Sequence, residues 1–327
     1  MTQTASMFSQ ILAIFSRGEF ANIIRKHQAE KHGKGFTCWD QFVAMLFCQL
    51  AQAQSLREIC GGLACCLGKL KHLGVHVAPN KSTLSYANAH RPWQVYQDLF
   101  YLMLGKCQTI AKHNKHRFRF KNKLYSMDAS IIDLCLSLFD WASYRQTKGA
   151  VKLHLLLDHD GYLPTFALIT EGKVPDVKIA QTLTLPPGSI VAMDRGYNDY
   201  NLFGKWTRQG VYFVTRLKSN AKCNVIEERK LPKNRNILAD EIIELSRVDA
   251  FSKCPYRLRR IVVWDAEQNR ELVFLTNHLK FGATTIAQIY KDRWQIETFF
   301  KILKQNLKVK TFVGTSANAL KTQIWTA

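Results

Sequence analysis

Lys123-Leu124-Tyr125-Ser126-Met127-Asp128 marks the point at which the hydrophobic period of this 327-residue chain changes. Before it, apolar residues recur at helical spacing, as in Ile11, Ile14 and Phe15 or Phe42, Met45, Leu46 and Leu50. After it, short apolar or alternating runs at 124–128, 131–138, 151–157, 165–170, 189–193 and 211–215 are separated by Gly, Asp, Asn or Pro turns, the pattern of strands. Asp158-His159-Asp160-Gly161 suits a hairpin between the third and fourth runs. Helical patterns fall at 177–183 and 200–209. Strands first, then strands alternating with helices, predict an α/β fold with a mixed sheet and helices packed on it. A chain of this length buries a sizeable core in two or three domains.

Outward from that point, residues 1–105 read as an all-helical DNA-binding domain. Ser55 followed three residues later by Glu58 resembles a capping box. A short helix from there to Leu63, a second to Leu70, a break at Gly74 and a third helix opening at Asn80 to Ser82 would form a helix-turn-helix-like unit, with Pro92 ending it. Lys81, Ser82 and Arg91 on that third helix are candidate DNA contacts, because a helix N-terminus adds backbone donors for phosphate. The stretch 106–123 is a basic linker or first strand of the next domain. It alternates Arg117, Phe118, Arg119 and Phe120, so that Arg117 and Arg119 face DNA opposite an apolar face. Residues 124–327 form the catalytic domain, with a strand-rich insertion at 217–275. Within the insertion, Glu227-Glu228-Arg229-Lys230 reads as an exposed loop, and Arg257, Arg259 and Arg260 as a basic strand edge.

Lys and Arg number 46 against 25 Asp and Glu, a formal charge of +21 whose field gathers polyanions. Nucleic acid is the leading partner, ahead of an anionic membrane surface or a merely solubilising face. The nine cysteines lack paired C-x2-C spacing and read as reduced, mostly buried residues of a cytoplasmic, nucleoid-associated protein. No signal-peptide pattern opens the chain, and no apolar run reaches the length of a membrane span.

The chemistry concentrates in Tyr290-Lys-Asp-Arg293-Trp294-Gln-Ile-Glu297, continuing to Lys304. On one uninterrupted helix Tyr290, Arg293, Glu297 and Lys304 share roughly 60° of arc. Such a helix holds Glu297 rigidly while Arg293 and Lys304 reach for phosphate; the plainer reading is an exposed Arg293–Glu297 pair one turn apart. Asp128 and Asp194 each follow an apolar strand, where a lone carboxylate is costly to bury. If those strands are neighbours and the last helix crosses their ends, Asp128, Asp194 and Glu297 converge on a hard-metal, all-oxygen site. Two Mg²⁺ ions about 4 Å apart, with Mn²⁺ able to substitute, would serve it. The alternative is that each Asp simply caps the following turn. His154, His159 and His278 offer no compact zinc spacing and read as structural or surface residues.

These residues make the chain resemble the bacterial insertion-sequence transposases of the DDE class, specifically those whose last catalytic helix carries Y-x2-R-x3-E-x6-K. Tyr290, Arg293, Glu297 and Lys304 match that signature, Trp294 fits beside it, and Asp128 and Asp194 (within Asp194-Arg195-Gly196-Tyr197) fit the two acidic positions. The resemblance implies a ribonuclease-H-like core. It also implies binding of the terminal inverted repeats of its own element as a DNA-bound homodimer, nicking, excision through a hairpin and strand transfer into target DNA. Tyr290, Arg293, Trp294 and Lys304 would then grip DNA. In some relatives a Trp near positions 272–273 stacks on a flipped base; here Leu272 and Val273 stand there, with Trp264 one hairpin arm away. The resemblance also implies more helix after the signature, so the segment ending Trp325-Thr326-Ala327 is expected to expose apolar surface, as in a truncated copy. Two further readings use the same residues: an inactive truncated transposase that only binds DNA, and a ribonuclease-H-like nuclease without strand transfer.

Overall fold

The structure, a computed structural model, describes residues 7–31, 33, 35–66, 69–111, 118–145, 148–233, 236–307, 309 and 311–327. Six helices come first: α1 (Met7–Ala13), α2 (Arg17–Lys26), α3 (Cys38–Leu50), α4 (Leu56–Ala64), α5 (Lys81–His90) and α6 (Gln94–Ala111). Next come β1 (Leu124–Leu134), β2 (Ser143–Arg145), β3 (Lys148–Asp158), β4 (Leu163–Glu171), α7 (Asp176–Thr182), β5 (Ile190–Met193), α8 (Tyr200–Arg208) and β6 (Tyr212–Arg216). The last third holds β7 (Cys223–Glu228), β8 (Ile237–Leu245), α9 (Val248–Lys253), β9 (Leu258–Asp265), β10 (Arg270–Thr276), α10 (Ala283–Asp292), α11 (Trp294–Asn306) and α12 (Ala317–Thr326). Two compact units result. One comprises Met1–Thr109, Ile132–Val151 and Lys301–Ala327; the other comprises Ile110–Ile131 and Lys152–Phe300.

In the first unit, polar caps start the helices. Thr37 and Asp40 close a full capping box on α3. At α4, Ser55 accepts from the Glu58 amide, whereas Glu58 accepts from the Gln54 amide at 2.8 Å, one residue before the cap. The expected second helix ending at Leu70 is replaced by a 3₁₀ turn over Leu70–Leu73. Gly74 closes it at φ 71°, a conformation that suits glycine, and a Cβ there would also collide with the Arg17 guanidinium. Phe20, Trp39 and Phe42 pack 5.4 to 5.5 Å apart at the centre of this unit, beside a buried Gln41–Asn88 hydrogen bond of 2.8 Å. The C-terminal apolar residues are not exposed as expected. Leu320 and Ile324 of α12 are buried, Trp325 packs on Trp93 and Phe100, and Asn318 donates to the Asn88 and Arg91 carbonyls.

The second unit holds most of a sheet in the order β2-β3-β1-β5-β6-β10-β9-β8-β7, with β4 paired to β3 off that path. β1, β5 and β6 run parallel, and β10, β9, β8 and β7 continue antiparallel from β6. The period of two in the sequence divides the core between the two faces. Tyr125, Met127, Val191 and Met193 pack with Leu202, Phe203 and Trp206 of α8, while Leu124, Ile190 and Ala192 pack with Ile286 and Ile289 of α10. The product is a ribonuclease-H-like mixed sheet with a strand insertion, preceded by an all-helical region.

Four local expectations are corrected. The runs expected at 124–128 and 131–138 are one strand, β1, which ends at Leu134. Residues 118–120 are bends rather than a strand, although Phe118 and Phe120 do stack inward at 5.0 Å and leave Arg119 exposed. Residues 227–228, expected in a loop, end β7. Nor are Arg257, Arg259 and Arg260 on an edge, because β8 lies beside β9 and supplies an acid for each: Glu244 at 3.4 Å, Asp240 at 2.7 Å and Glu241 at 3.2 Å. Arg259 is only 1% exposed, so its charge serves the fold.

Candidate active site

Register brings the two Asp residues together. Met127 of β1 pairs with Met193 of β5, so Asp128 and Asp194 are the next residues on adjacent parallel strands, at the same sheet end. Ligands and chemistry in open α/β sheets concentrate at this end. Asp194 also lines an open cleft of about 550 Å³ with Arg195, Gly196, Lys218, Ser219 and Asn220. Sequence reasoning passed over Arg195 and Lys218. Arg195 carried a signal in its position beside Asp194, but Lys218 reaches the cleft only through the return of β6.

The helix bearing Glu297 is not continuous as expected. α10 ends at Asp292 and α11 begins at Trp294, with Arg293 between them. The junction is tightened by Arg293 N–H to the Tyr290 carbonyl at 3.2 Å and Ile296 N–H to the Arg293 carbonyl at 3.1 Å. Arg293 is 7% exposed. Its guanidinium donates to Glu297 Oε1 at 2.6 Å and to Asp128 Oδ2 at 3.5 Å, while its Nε is buried without a partner. The Arg293–Glu297 pair therefore forms as the plainer reading had it, but buried on the Arg side and joined to Asp128. Tyr290 donates to Asp194 Oδ1 at 3.5 Å, and its ring lies 5.3 Å from the Arg293 guanidinium. Asp128, Asp194, Tyr290, Arg293 and Glu297 thus meet in one place.

Burial pushes the Asp128 carboxyl up to about 6; the Ala129 amide and Arg293 pull it down, and Glu297 and Asp194 push it further up. Burial likewise raises Tyr197, followed by the nearby charges of Asp128, Asp176 and Asp194, and the Tyr197 hydroxyl is buried without a partner. Among the described residues no three His, Cys, Asp or Glu side chains are gathered closely enough to hold a metal. In this arrangement the guanidinium is the cation that neutralises Asp128 and Glu297.

The raised Asp128 pKa carries a sign. The folded protein holds a proton there that the unfolded chain releases at about pH 4, so stability falls as pH rises from about 4 to about 6 and stays lowered above that. Asp128→Asn is therefore expected to stabilise the metal-free protein by about 2–3 kcal/mol above pH 6 and hardly at all at pH 4. Urea unfolding in EDTA across that range measures it, and a gain independent of pH would contradict the assignment.

The sequence profile described as "Transposase DDE domain" matches residues 119–327, and residues 3–76 match a domain of unknown function (DUF4372). This chain belongs to the DDE transposase family. It is 32% identical over 255 residues to the Sinorhizobium fredii protein named as transposase y4zB, covering 77% of this chain and 69% of that one. It is 26% identical over 248 residues to a Geobacillus stearothermophilus protein named as the transposase of insertion sequence element IS5377, covering 75% of this chain and 64% of that one. A third relative, from Synechocystis sp. and named for insertion sequence element IS4SA, is 24% identical over 251 residues, covering 75% and 68%. Membership carries with it action on DNA and a general dependence on divalent metal.

The other candidate residues of this transposase are dispersed. Trp294 is 63% exposed, while Lys304 lies in the last turn of α11. Lys81 and Ser82 are exposed on the first turn of α5. Arg91 donates to the Thr37 and Phe36 carbonyls and to Gln41, so its guanidinium ties the helical unit together. Arg117 lies outside the described residues. All nine cysteines are free thiols, but they are not mostly buried as expected: Cys38, Cys48 and Cys254 are buried, Cys60, Cys66 and Cys223 half-buried, and Cys65, Cys107 and Cys135 exposed. His154 and His278 are buried and held down to about 4 by desolvation. Among the described residues no helix is long and apolar enough to cross a membrane.

Proposed function

We propose that this transposase cleaves DNA at the ends of its own element and joins the released 3′-hydroxyls to target DNA, with Asp128, Asp194 and Glu297 holding divalent metal. The observation that carries the reading is the register of β1 and β5, which sets two carboxylates side by side, with Arg293 linking Glu297 to one of them. An all-oxygen donor set suits Mg²⁺ or Mn²⁺, and a divalent cation would offset the cost of burial that holds the Asp128 carboxyl up. Bound there, divalent metal would activate water or a 3′-hydroxyl and neutralise the leaving oxygen.

For the three carboxylates to act as ligands, Arg293 has to release them. Its planar fork and its unpartnered Nε suit a DNA phosphate, which exchanges one anionic partner for another. Tyr290 and Lys304 would hold the same strand, and the exposed Trp294 offers a stacking face. Arg195 and Lys218 in the cleft, with Arg119, Lys81 and Ser82, would contact further backbone. Excision through a hairpin and pairing of two ends in a homodimer complete the reading; Trp264, 36% exposed on β9, is the aromatic available to a flipped base.

The test incubates the full chain with labelled DNA carrying the flanks of its own gene. Nicks at discrete boundaries and joined products are expected with Mg²⁺ or Mn²⁺ and none in EDTA. Nicks without joined products would indicate a nuclease, and specific binding without nicks an inactive transposase.

A further inference from the structure

Asp292, the last residue of α10 and the neighbour of Arg293, is 2% exposed in the sheet-facing layer. Its Oδ2 meets His159 Nδ1 at 2.7 Å and accepts from the Tyr162 hydroxyl at 3.1 Å. The other ring nitrogen of His159 meets Ser126 Oγ at 2.7 Å, and Ser126 lies on β1 two residues before Asp128. With Asp292 as the carboxylate, Nδ1 donates to it, and Nε2 and the Ser126 hydroxyl share the second hydrogen bond. The order Ser126–His159–Asp292 is that of a nucleophilic triad, but Ser126 is 0% exposed, so no substrate reaches its hydroxyl.

The turn that presents His159 is itself tied down. His159 N–H donates to the Leu124 carbonyl at 3.0 Å, and Lys123 pairs with Asp158 and Asp160 on either side. Tyr162 keeps φ at 55°, an uncommon conformation for an aromatic residue that surrounding contacts must hold. A carboxylate in a protein interior is costly unless it is hydrogen-bonded, so the place where Asp292 sits is decided by these donors.

We infer that the Ser126–His159–Asp292–Tyr162 network is a positioning device, which pins the α10–α11 junction to β1 and thereby aims Arg293 and Glu297 at Asp128. Its catalytic consequence rests on the transposase reading above; its geometric content does not. His159 is a positioning residue because its hydrogen bonds among the described residues go to Ser126, Asp292 and the Leu124 carbonyl rather than to Arg293 or the three carboxylates, and it acts through Asp292.

Two substitutions separate the links of this chain. His159→Asn keeps an amide donor near the Nδ1 position, facing Asp292, and gives up Ser126. His159→Gln places its amide near the Nε2 position, facing Ser126, and gives up Asp292. Hydrogen exchange of the peptide spanning residues 290–300, in the full chain without DNA or metal, is expected to accelerate about tenfold in His159→Gln and to stay within about twofold of wild type in His159→Asn. Equal exchange in the two variants would overturn the inference. Should His159→Gln fail to fold, Tyr162→Phe decides: an acceleration of about threefold supports the device, and wild-type exchange overturns it. In end cleavage, His159→Gln should lower kcat while KM for DNA holds. A wild-type chain that never cleaves would overturn the functional reading and the catalytic consequence, leaving the exchange comparison to judge the geometry.

Discussion

Glu297→Gln is expected to remove cleavage and joining of end DNA, by about a thousandfold or more, while specific end binding stays within a few-fold. The magnitude follows from losing about 4 kcal/mol of transition-state stabilisation when a site for divalent metal loses one of three carboxylates. Gln has the same shape and keeps a carbonyl that can still accept from Arg293, a bond that is 2.6 Å in the native protein. The contact weakens from charge-assisted to neutral, at a cost of about 1 kcal/mol, so the α10–α11 junction should persist. Loss of activity then reports on chemistry rather than folding. The measurement is nicking of labelled ends in Mg²⁺ beside a mobility shift on the same DNA. Undiminished nicking by the variant would remove Glu297 from the metal site and with it the proposed active site.

Arg293→Ala is expected to act on stability and on metal response together. In the native protein the guanidinium is the cation nearest both Asp128 and Glu297. Removing one partner of a buried pair leaves charge uncompensated and costs about 3–5 kcal/mol. Glu297 is 34% exposed at its side chain and partly screened by water, which places the loss near the lower end, about 3 kcal/mol at pH 7.5. The penalty belongs to the ionised carboxyls. The share that belongs to Asp128 is full above its raised folded pKa and fades as pH falls toward the unfolded value, so the deficit should shrink toward pH 4. Mg²⁺, held by the folded state as proposed, should recover part of the deficit at pH 7.5 by mass action. A deficit that is the same at pH 4 and 7.5, or one indifferent to Mg²⁺, would mean that Arg293 is not the counter-ion of this cluster.

Much of this protein was legible because its signals are local. Alternation of apolar residues from Leu124 onward marked the strands and divided the core between two faces, since side chains alternate along any strand whatever its neighbour. Ser55 placed the start of α4, because capping is decided within a few residues, whereas Asn80 precedes α5 without a side-chain capping bond. The spacing of Tyr290, Arg293 and Glu297, with Asp128 and Asp194 each after a short apolar run, named the candidate site; β1 in fact continues past Asp128 to Leu134. The tertiary structure decided the rest. Only strand pairing made β1 and β5 neighbours, placed β9 beside β8, and turned Arg257, Arg259 and Arg260 from a surface charge run into partners of Glu244, Asp240 and Glu241. Only the fold brought His159 to Asp292 across 133 positions of chain and Arg293 to Asp128 across 165. The physical reason is the same in each case: a strand's period tells which way its side chains point but not which strand lies beside it, and the fate of a charge depends on the partner that folding delivers.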